Sequence, residues 1–121
     1  MKQTSKKITN YHFYYFVPKS HLEQTKQAIF EAGAGNIGNY SSCSWQTKGT
    51  GQFRAEASSN PYLGKIGKIN SVEEYRVETI CPSKLRHKVL DALKKSHPYD
   101  EPAYGFIKLE PIKKLVMGNK K

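Results

Sequence analysis

The segment His97–Pro102, with the sequence His-Pro-Tyr-Asp-Glu-Pro, concentrates side chains that can do chemistry. It combines an imidazole, a phenol and two carboxylates, and its two prolines limit the freedom of the backbone. Because imidazole nitrogen and carboxylate oxygen both bind divalent metals, His97 with Asp100 or Glu101 is a candidate metal site. A divalent metal ion is the one cofactor that the sequence suggests. The alternative is a rigid corner whose polar groups satisfy exposed backbone.

A glycine-rich stretch, residues 33–67, holds seven of the nine glycines of the chain. Glycine is favoured where the backbone needs a positive φ or approaches another group closely. Its first part, Gly33–Gly38, matches the pattern G-x-G-x-x-G, which binds a pyrophosphate when it follows a strand and opens a helix. Here it follows a predicted helix, whose C-terminal end repels phosphate. The pattern therefore indicates a helix stop and a tight turn, although a nest of peptide amides for another ligand stays open.

No nucleophile with an evident base, and no phosphate-binding loop, is found along the chain. Cys43 and Cys81 are too few and too far apart for a disulfide framework or a zinc ribbon. Small residues on strand faces are typical of a core, and two reduced thiols are typical of a cytoplasmic protein. We therefore predict a cytoplasmic protein without enzymatic activity.

The net charge of +10 is concentrated at the two ends of the chain. Residues 1–7 and 113–121 carry +7 between them, which leaves thirteen basic and ten acidic groups, or +3, on residues 8–112. Basic tails can bind nucleic acid electrostatically, but the small charge of the remainder makes this the weaker alternative. No apolar run reaches the length of about eighteen residues that a membrane span requires.

The sequence has two similar halves, each with a strand, a proline and a helix, which must position the side chains described above. Residues 11–17 are aromatic or β-branched and predict a central strand. A helix capped by Ser20 follows Pro18 and stops at Gly33. In the second half, residues 72–81 alternate as a half-buried strand, and a helix capped by Ser83 follows Pro82.

Between and after these units we predict a half-buried strand at 40–47 and a turn at Gly49–Gly51. A short returning strand at 52–55 and a long irregular loop at 56–67 come next, and a last strand lies at 103–109. The order predicts an α+β fold, a ferredoxin-like split βαβ sandwich in which one antiparallel sheet carries both helices on one face. We place this domain at residues 11–110, with basic tails at 1–10 and 111–121. The other sheet face needs a cover, for which a second subunit is the obvious candidate.

Five segments come in the order and spacing of one known module: Val17–Leu22, Glu31–Tyr40, Gly49–Arg54, Asn60–Gly64 and His97–Tyr104. The chain resembles the small domain inserted in many bacterial proteins of the Ngg-interacting-factor (NIF-three-like) family, a module that also occurs alone. It is also similar to CutA and the PII signalling proteins. That resemblance implies homo-oligomers, with a trimer favoured over a dimer.

The same resemblance bears on metals. The His97–Tyr99 corner resembles the H-P-Y-E segment of CutA proteins, which are linked to divalent-cation tolerance, although Asp100 stands where glutamate is common. The dinuclear metal site of the larger family lies in flanking domains outside the matched residues, so its metal chemistry and its cyclohydrolase label do not transfer.

These observations favour a non-enzymatic binding or regulatory module that forms a homo-oligomer. The hypothesis places a small ligand in the glycine-rich loops or at the His97–Glu101 corner, at a subunit boundary. The residues predicted to contact the ligand are Gly35, Asn36, Gly38, Asn39, Arg54, Asn60 and Tyr62. The second hypothesis is a divalent-metal-binding protein that uses His97, Asp100 and Glu101.

Overall fold

Four strands and two helices follow one another as β-α-β-β-α-β in the computed structural model, which describes residues 9–59, 61–62 and 64–111. The sheet is antiparallel with strand order β2-β3-β1-β4. This arrangement confirms the predicted ferredoxin-like class. The elements are β1 Asn10–Pro18, α1 Leu22–Glu31, β2 Trp45–Arg54, β3 Ile69–Pro82, α2 Arg86–Ser96 and β4 Tyr104–Lys108.

The core lies between one face of the sheet and the two helices. The central strand β1 supplies Phe13, Tyr15 and Val17, which alternate along the strand and are fully buried. They pack against the helical residues Ile29 and Leu93. The aromatic run that predicts a central strand is therefore confirmed, and the apolar stripes of both helices face it.

We call the opposite face of the sheet the open sheet face. The same alternation determines which residues lie on it. Its members include His12, Tyr14, Phe16, Trp45, Thr47, Phe53, Glu74, Arg76, Glu78, Ile80 and Ile107. Trp45 and Ile107 are 69% and 52% exposed. In the middle of this face the Arg76 guanidinium lies 4.3 Å from the centroid of the Tyr14 ring and its Nε lies 3.4 Å from a carboxylate oxygen of Glu78.

Both predicted serine caps are wrong. After Pro18 and Pro82 the chain first makes a 3₁₀ turn of three residues, Lys19–His21 and Ser83–Leu85, and the α-helices begin only afterwards. The Ser20 hydroxyl lies 2.8 Å from Nδ1 of its neighbour, His21, and makes no cap. Each serine therefore sits inside a tighter turn and not at the start of the helix.

Gly33 ends α1 as predicted. It has φ +117°, and its N–H donates to the carbonyl oxygen of Phe30 while the N–H of Ala34 donates to that of Ile29. These two hydrogen bonds form a Schellman motif, which satisfies carbonyl groups left over at the helix end. The hexapeptide Gly33–Gly38 is thus a helix stop that leads into a turn.

The turn predicted at Gly49–Gly51 is wrong, because these residues lie inside the continuous strand β2. Gly49 pairs with Glu74 and Gly51 with Val72, so the backbone stays extended. The half-buried strand predicted at 40–47 is also wrong, since β2 starts only at Trp45 and most of it is exposed. The reversal comes later, in the 55–68 loop, where the N–H of Gly67 donates to the carbonyl oxygen of Ala55 at 2.7 Å.

The two ends of the folded unit lie side by side. Tyr11 of β1 pairs with Lys108 of β4, and the N–H of Leu109 donates to the carbonyl oxygen of Asn10 at 3.0 Å. The predicted tails 1–10 and 111–121 fall almost wholly outside the described residues. Neither described helix has the length and apolar character needed to cross a membrane.

Candidate ligand-binding groove

A groove of about 280 Å³ opens at the end of the sheet where β1 ends and β4 begins. One wall is the ribbon of β2 and β3, another is the loop after β2, and the third is the corner between α2 and β4. The aromatic and acidic side chains that line it are Phe53, Tyr62, Tyr99, Glu74, Asp100 and Glu101. The groove therefore combines ring faces with carboxylates.

Glu74 is fixed within this groove by contacts from two other elements. The phenol of Tyr99 donates a hydrogen bond of 2.8 Å to its Oε2. Its carboxylate lies directly over Gly51 on the neighbouring strand, in the space that a β-carbon would occupy. The absence of a side chain at Gly51 thus lets Glu74 lean along the sheet toward the corner.

Tyr99 and Tyr62 form the aromatic part of the wall. Their ring centroids lie 6.3 Å apart, and His21 meets the Tyr62 ring edge-on at 5.8 Å. Burial is the main cause that raises the pKa of Tyr99, followed by its hydrogen bond to Glu74. The phenol therefore stays protonated at neutral pH and remains a donor.

His97 lies behind the groove and has a structural role there. It is 8% exposed; its Nε2 lies 2.7 Å from the carbonyl oxygen of Phe16, and its Nδ1 accepts a hydrogen bond from the N–H of Tyr99 at 3.1 Å. These partners make Nε2 the protonated nitrogen of a neutral ring. Burial lowers the pKa of His97, which favours the neutral form further.

Three of the residues predicted to bind ligand or metal line the groove: Tyr62, Asp100 and Glu101. His97 does not line it, and both of its ring nitrogens already have backbone partners, so metal binding by His97 stays a prediction that these contacts oppose. No three His, Cys, Asp or Glu side chains within residues 9–59, 61–62 and 64–111 come close enough together to hold a metal ion.

The other predicted ligand residues that the structure describes do not line this groove. Asn60 lies outside the described residues. Arg54 follows Phe53 but, by strand alternation, points to the opposite face of the sheet. The segment that contains Gly35, Asn36, Gly38 and Asn39 meets the far end of the sheet, where the N–H of Gly35 donates to the carbonyl oxygen of Ile80.

The distance between the two ends separates the predicted residues into two groups. Ile80 and Glu74 are six residues apart on β3, which is about 20 Å along a strand. Among the described residues, the predicted ligand residues therefore lie in more than one place, and their role in binding stays a prediction. At the far end, Gly38 and Asn39 form a tight turn closed by two hydrogen bonds between Ile37 and Tyr40.

Sequence reasoning missed Glu74, Phe53 and the part that Tyr99 plays as a donor. One signal was available for Glu74: the alternation of β3 puts it on the face opposite the core residues Tyr75 and Val77. Nothing in the sequence pairs it with Tyr99, which is 25 residues further along the chain.

Comparison with known proteins gives the family. The chain is 49% identical over 94 residues to a "GTP cyclohydrolase 1 type 2 homolog" of Halalkalibacterium halodurans and 46% identical over 96 residues to one of Mycobacterium tuberculosis. A solved Bacillus cereus protein related to NIF3 shares 37% identity and superposes over 88% of this chain with a TM-score of 0.76. This chain is a NIF3-related module.

The matches cover 78% and 79% of the module but only 25% of each of the two relatives, so the chain spans about a quarter of their length. They also cover 27% of the solved Bacillus cereus protein. A search of protein-family profiles finds no match to the chain.

The module also has the CutA fold. The "periplasmic divalent cation tolerance protein CutA" of Archaeoglobus fulgidus superposes with a TM-score of 0.60 at 20% identity, covering 91% of this chain and 90% of that one. CutA1 of Pyrococcus horikoshii gives a TM-score of 0.63 at 17% identity, over 85% and 86% of the two chains. At these identities the likeness concerns the fold alone.

Proposed function

We propose that this NIF3-related module is a non-enzymatic, homo-oligomeric binding module whose ligand occupies the groove beside Glu74 and Tyr99. The observation that carries the proposal is the groove itself, a concave site of about 280 Å³ with ring faces and a few convergent polar groups. Small-molecule sites in proteins commonly have this composition. The hydrogen bond between Tyr99 and Glu74 holds its polar groups in place before a ligand arrives.

The groups in the groove suit binding more than catalysis. His97, which lies behind the groove, uses both ring nitrogens on backbone groups and is kept neutral by burial. A base needs a free nitrogen within reach of the proton that it removes. The curated relatives are named after GTP, but a triphosphate in this groove would face Glu74, Asp100 and Glu101 and be repelled.

The open sheet face supports the homo-oligomer. It presents Tyr14, Phe16, Trp45 and Ile107 on the side of the sheet opposite the helices, and two of these are more than half exposed. Exposed apolar surface of this kind marks protein contacts. The likeness to CutA and PII proteins favours a trimer, with a dimer as the alternative. Glu74 and Phe53 belong to the same sheet face, so the groove would lie at the subunit boundary.

A cytoplasmic location completes the proposal. Cys43 and Cys81 are both free thiols, and Cys81 is fully buried in the core. Reduced thiols are typical of the cytoplasm.

Sedimentation equilibrium tests the oligomer. The variant Ile107→Asp introduces a charge on the open sheet face, and Ile37→Asp is the control because Ile37 is equally exposed, at 53%, but lies in the turn at the far end. We expect a trimer for the natural protein and for Ile37→Asp, and a monomer for Ile107→Asp. A natural protein that stays monomeric at millimolar concentration contradicts the oligomer.

Titration calorimetry tests the groove with four probes: agmatine, ATP, adenosine and Zn²⁺. Tyr62→Ala removes one wall, and Tyr40→Ala is the control because Tyr40 is 76% exposed and lies in the far turn. We expect at least one probe whose affinity falls tenfold or more in Tyr62→Ala and stays unchanged in Tyr40→Ala. If none of the four behaves in this way, the groove is not a binding site and the proposal fails.

A further inference from the structure

We infer that the ligand of this groove is an organic cation that carries N–H donors, a guanidinium or a primary ammonium compound. The inference rests on the proposed function, because it names the chemical class of ligand for the same groove. It is carried by the shape of the cavity, the sign of its charges and the aromatic surfaces around them.

The charge of the groove is opposite to that of the protein. Glu74, Asp100 and Glu101 line it, and no Lys, Arg or His belongs to its lining within the described part of the chain. The whole chain carries +10. The carboxylates of the groove therefore attract a cation only when it is close to them. At physiological salt, charges further away than about 8–10 Å, including those elsewhere on the basic protein, are screened.

The three carboxylates of the groove do not converge on one point that could hold a metal ion. No three acidic, His or Cys side chains of the described residues could share a metal ion. A metal ion needs several oxygen ligands at about 2.0–2.6 Å from one centre. Separate carboxylates instead suit an extended ligand with donors at more than one position, and a cavity of about 280 Å³ has room for such a molecule.

The aromatic wall suits a cation as well. Phe53, Tyr62 and Tyr99 line the same cavity as the carboxylates. A cation within about 6 Å of a ring centroid is attracted by the negative face of the ring. The open sheet face shows the same chemistry within this protein, where the Arg76 guanidinium lies 4.3 Å from the centroid of Tyr14 and 5.4 Å from that of Phe16.

Glu74 is the residue prepared to receive the cation. Tyr99 donates to Oε2, and this one hydrogen bond leaves most of the lone pairs of the carboxylate available, since an ionised carboxylate has about four acceptor positions. The phenol is a donor and cannot neutralise the carboxylate, whose negative charge remains for the ligand. A guanidinium matches such a carboxylate with two parallel N–H donors.

Calorimetric titration with agmatine, which has a guanidinium and an ammonium group and no anionic group, tests the ligand class. The variant Glu74→Gln keeps an acceptor for Tyr99 and removes the charge. Its matched control is Glu73→Gln, because Glu73 is the preceding residue, points to the other face of β3 and pairs with Lys48 at 3.1 Å. We expect a dissociation constant at least tenfold weaker in Glu74→Gln and changed less than twofold in Glu73→Gln.

The outcomes separate this inference from the proposal beneath it. If agmatine does not bind, or if Glu74→Gln and Glu73→Gln weaken it equally, the cation class is overturned. If ATP or Zn²⁺ binds instead and Tyr62→Ala abolishes that binding, the inference fails while the groove remains a binding site. If no probe depends on Tyr62, both fail. Circular dichroism and thermal melting of each variant confirm that it is folded before its affinity is compared.

Discussion

The phenol of Tyr99 and the carboxylate of Glu74 are joined by a hydrogen bond of 2.8 Å between residues 25 positions apart in the chain. The bond connects the middle of β3 to the corner that follows α2. Because the pKa of Tyr99 is raised by burial and by this carboxylate, the proton stays on the phenol at neutral pH. The Tyr99 phenol therefore holds the Glu74 carboxylate in position without neutralising its charge.

The substitution Gly51→Ala should disturb this pair. A β-carbon at Gly51 would occupy the space of the Glu74 carboxylate, whereas one at Gly49, on the same face of the same strand, meets nothing within 4 Å. Since a glutamate side chain can swing aside, we expect little loss of stability in either variant. Agmatine affinity should fall about tenfold in Gly51→Ala and stay within twofold in Gly49→Ala, as measured by calorimetry. Equal affinities in the two variants would show that the position of Glu74 does not matter.

The stability of the fold should decrease as the pH falls below the ordinary histidine range, in part because of His97. Burial lowers its folded-state pKa below 6.5. As the pH falls through 6.5 the unfolded chain takes up the proton first, so stability is lost until the folded-state pKa is passed. Through His97, the free energy of unfolding falls by at most about 1.4 kcal/mol for each pH unit in this range.

Thermal melting at pH 7.5 and 5.5 measures this loss. At pH 7.5, His97→Gln should melt at a lower temperature than the natural protein, because glutamine fits less well between Phe16 and Tyr99. Between pH 7.5 and 5.5, however, its melting temperature should fall by less than that of the natural protein. The exposed His87 provides the control, and His87→Gln should keep the natural pH dependence. A His97→Gln variant with the full pH dependence would mean that His97 is not the group responsible.

Metal binding should not depend on His97. Both of its ring nitrogens are engaged by the backbone, and a metal would have to displace the hydrogen bond to Phe16 or the one from Tyr99. Zn²⁺ titration of the natural protein and of His97→Ala should therefore give the same weak affinity. A loss of tenfold or more in His97→Ala alone would establish the metal site that the sequence of the corner suggests.

The glycine at the end of α1 should be far less replaceable than the one in the next turn. Gly33 has φ +117°, and a β-carbon there would meet the Leu85 side chain at 2.5 Å, whereas Gly38 has φ +57° and open space around it. Gly33→Ala should cost roughly 3 kcal/mol through backbone strain and displacement of Leu85. Gly38→Ala should cost about 1 kcal/mol. Denaturant unfolding gives both values, and equal losses would contradict this assignment of Gly33.

The fold could be predicted wherever local sequence and tertiary packing agree. The aromatic alternation of residues 11–17 and the position of Gly33 each specify one structure, because burial and backbone geometry leave no alternative. Gly49–Gly51 was misassigned because glycine permits a turn but does not require one. Pairing of β2 with the long strand β3 decided the conformation there. Ser20 and Ser83 failed as caps because the preceding prolines start a 3₁₀ turn.

The groove was harder to predict than the fold. The sequence offers Asp100 and Glu101 as candidates because they lie in a compact motif, and Tyr62 because it lies in one of the segments that carry the family resemblance. Glu74 was missed because its importance depends on its contact with Tyr99 and on the empty space over Gly51. Those relationships join three elements that are distant in sequence, and only the register of the sheet brings them together.

The hydrogen bond between Leu109 and Asn10 has a consequence for how such a unit can be combined with others. Since the polypeptide enters and leaves the domain at neighbouring points, a host protein can accept it within a surface loop without its own ends being pushed apart. The open sheet face and the groove then stay available for the proposed assembly and ligand binding. This geometry suits a domain that matches only about a quarter of the length of its relatives.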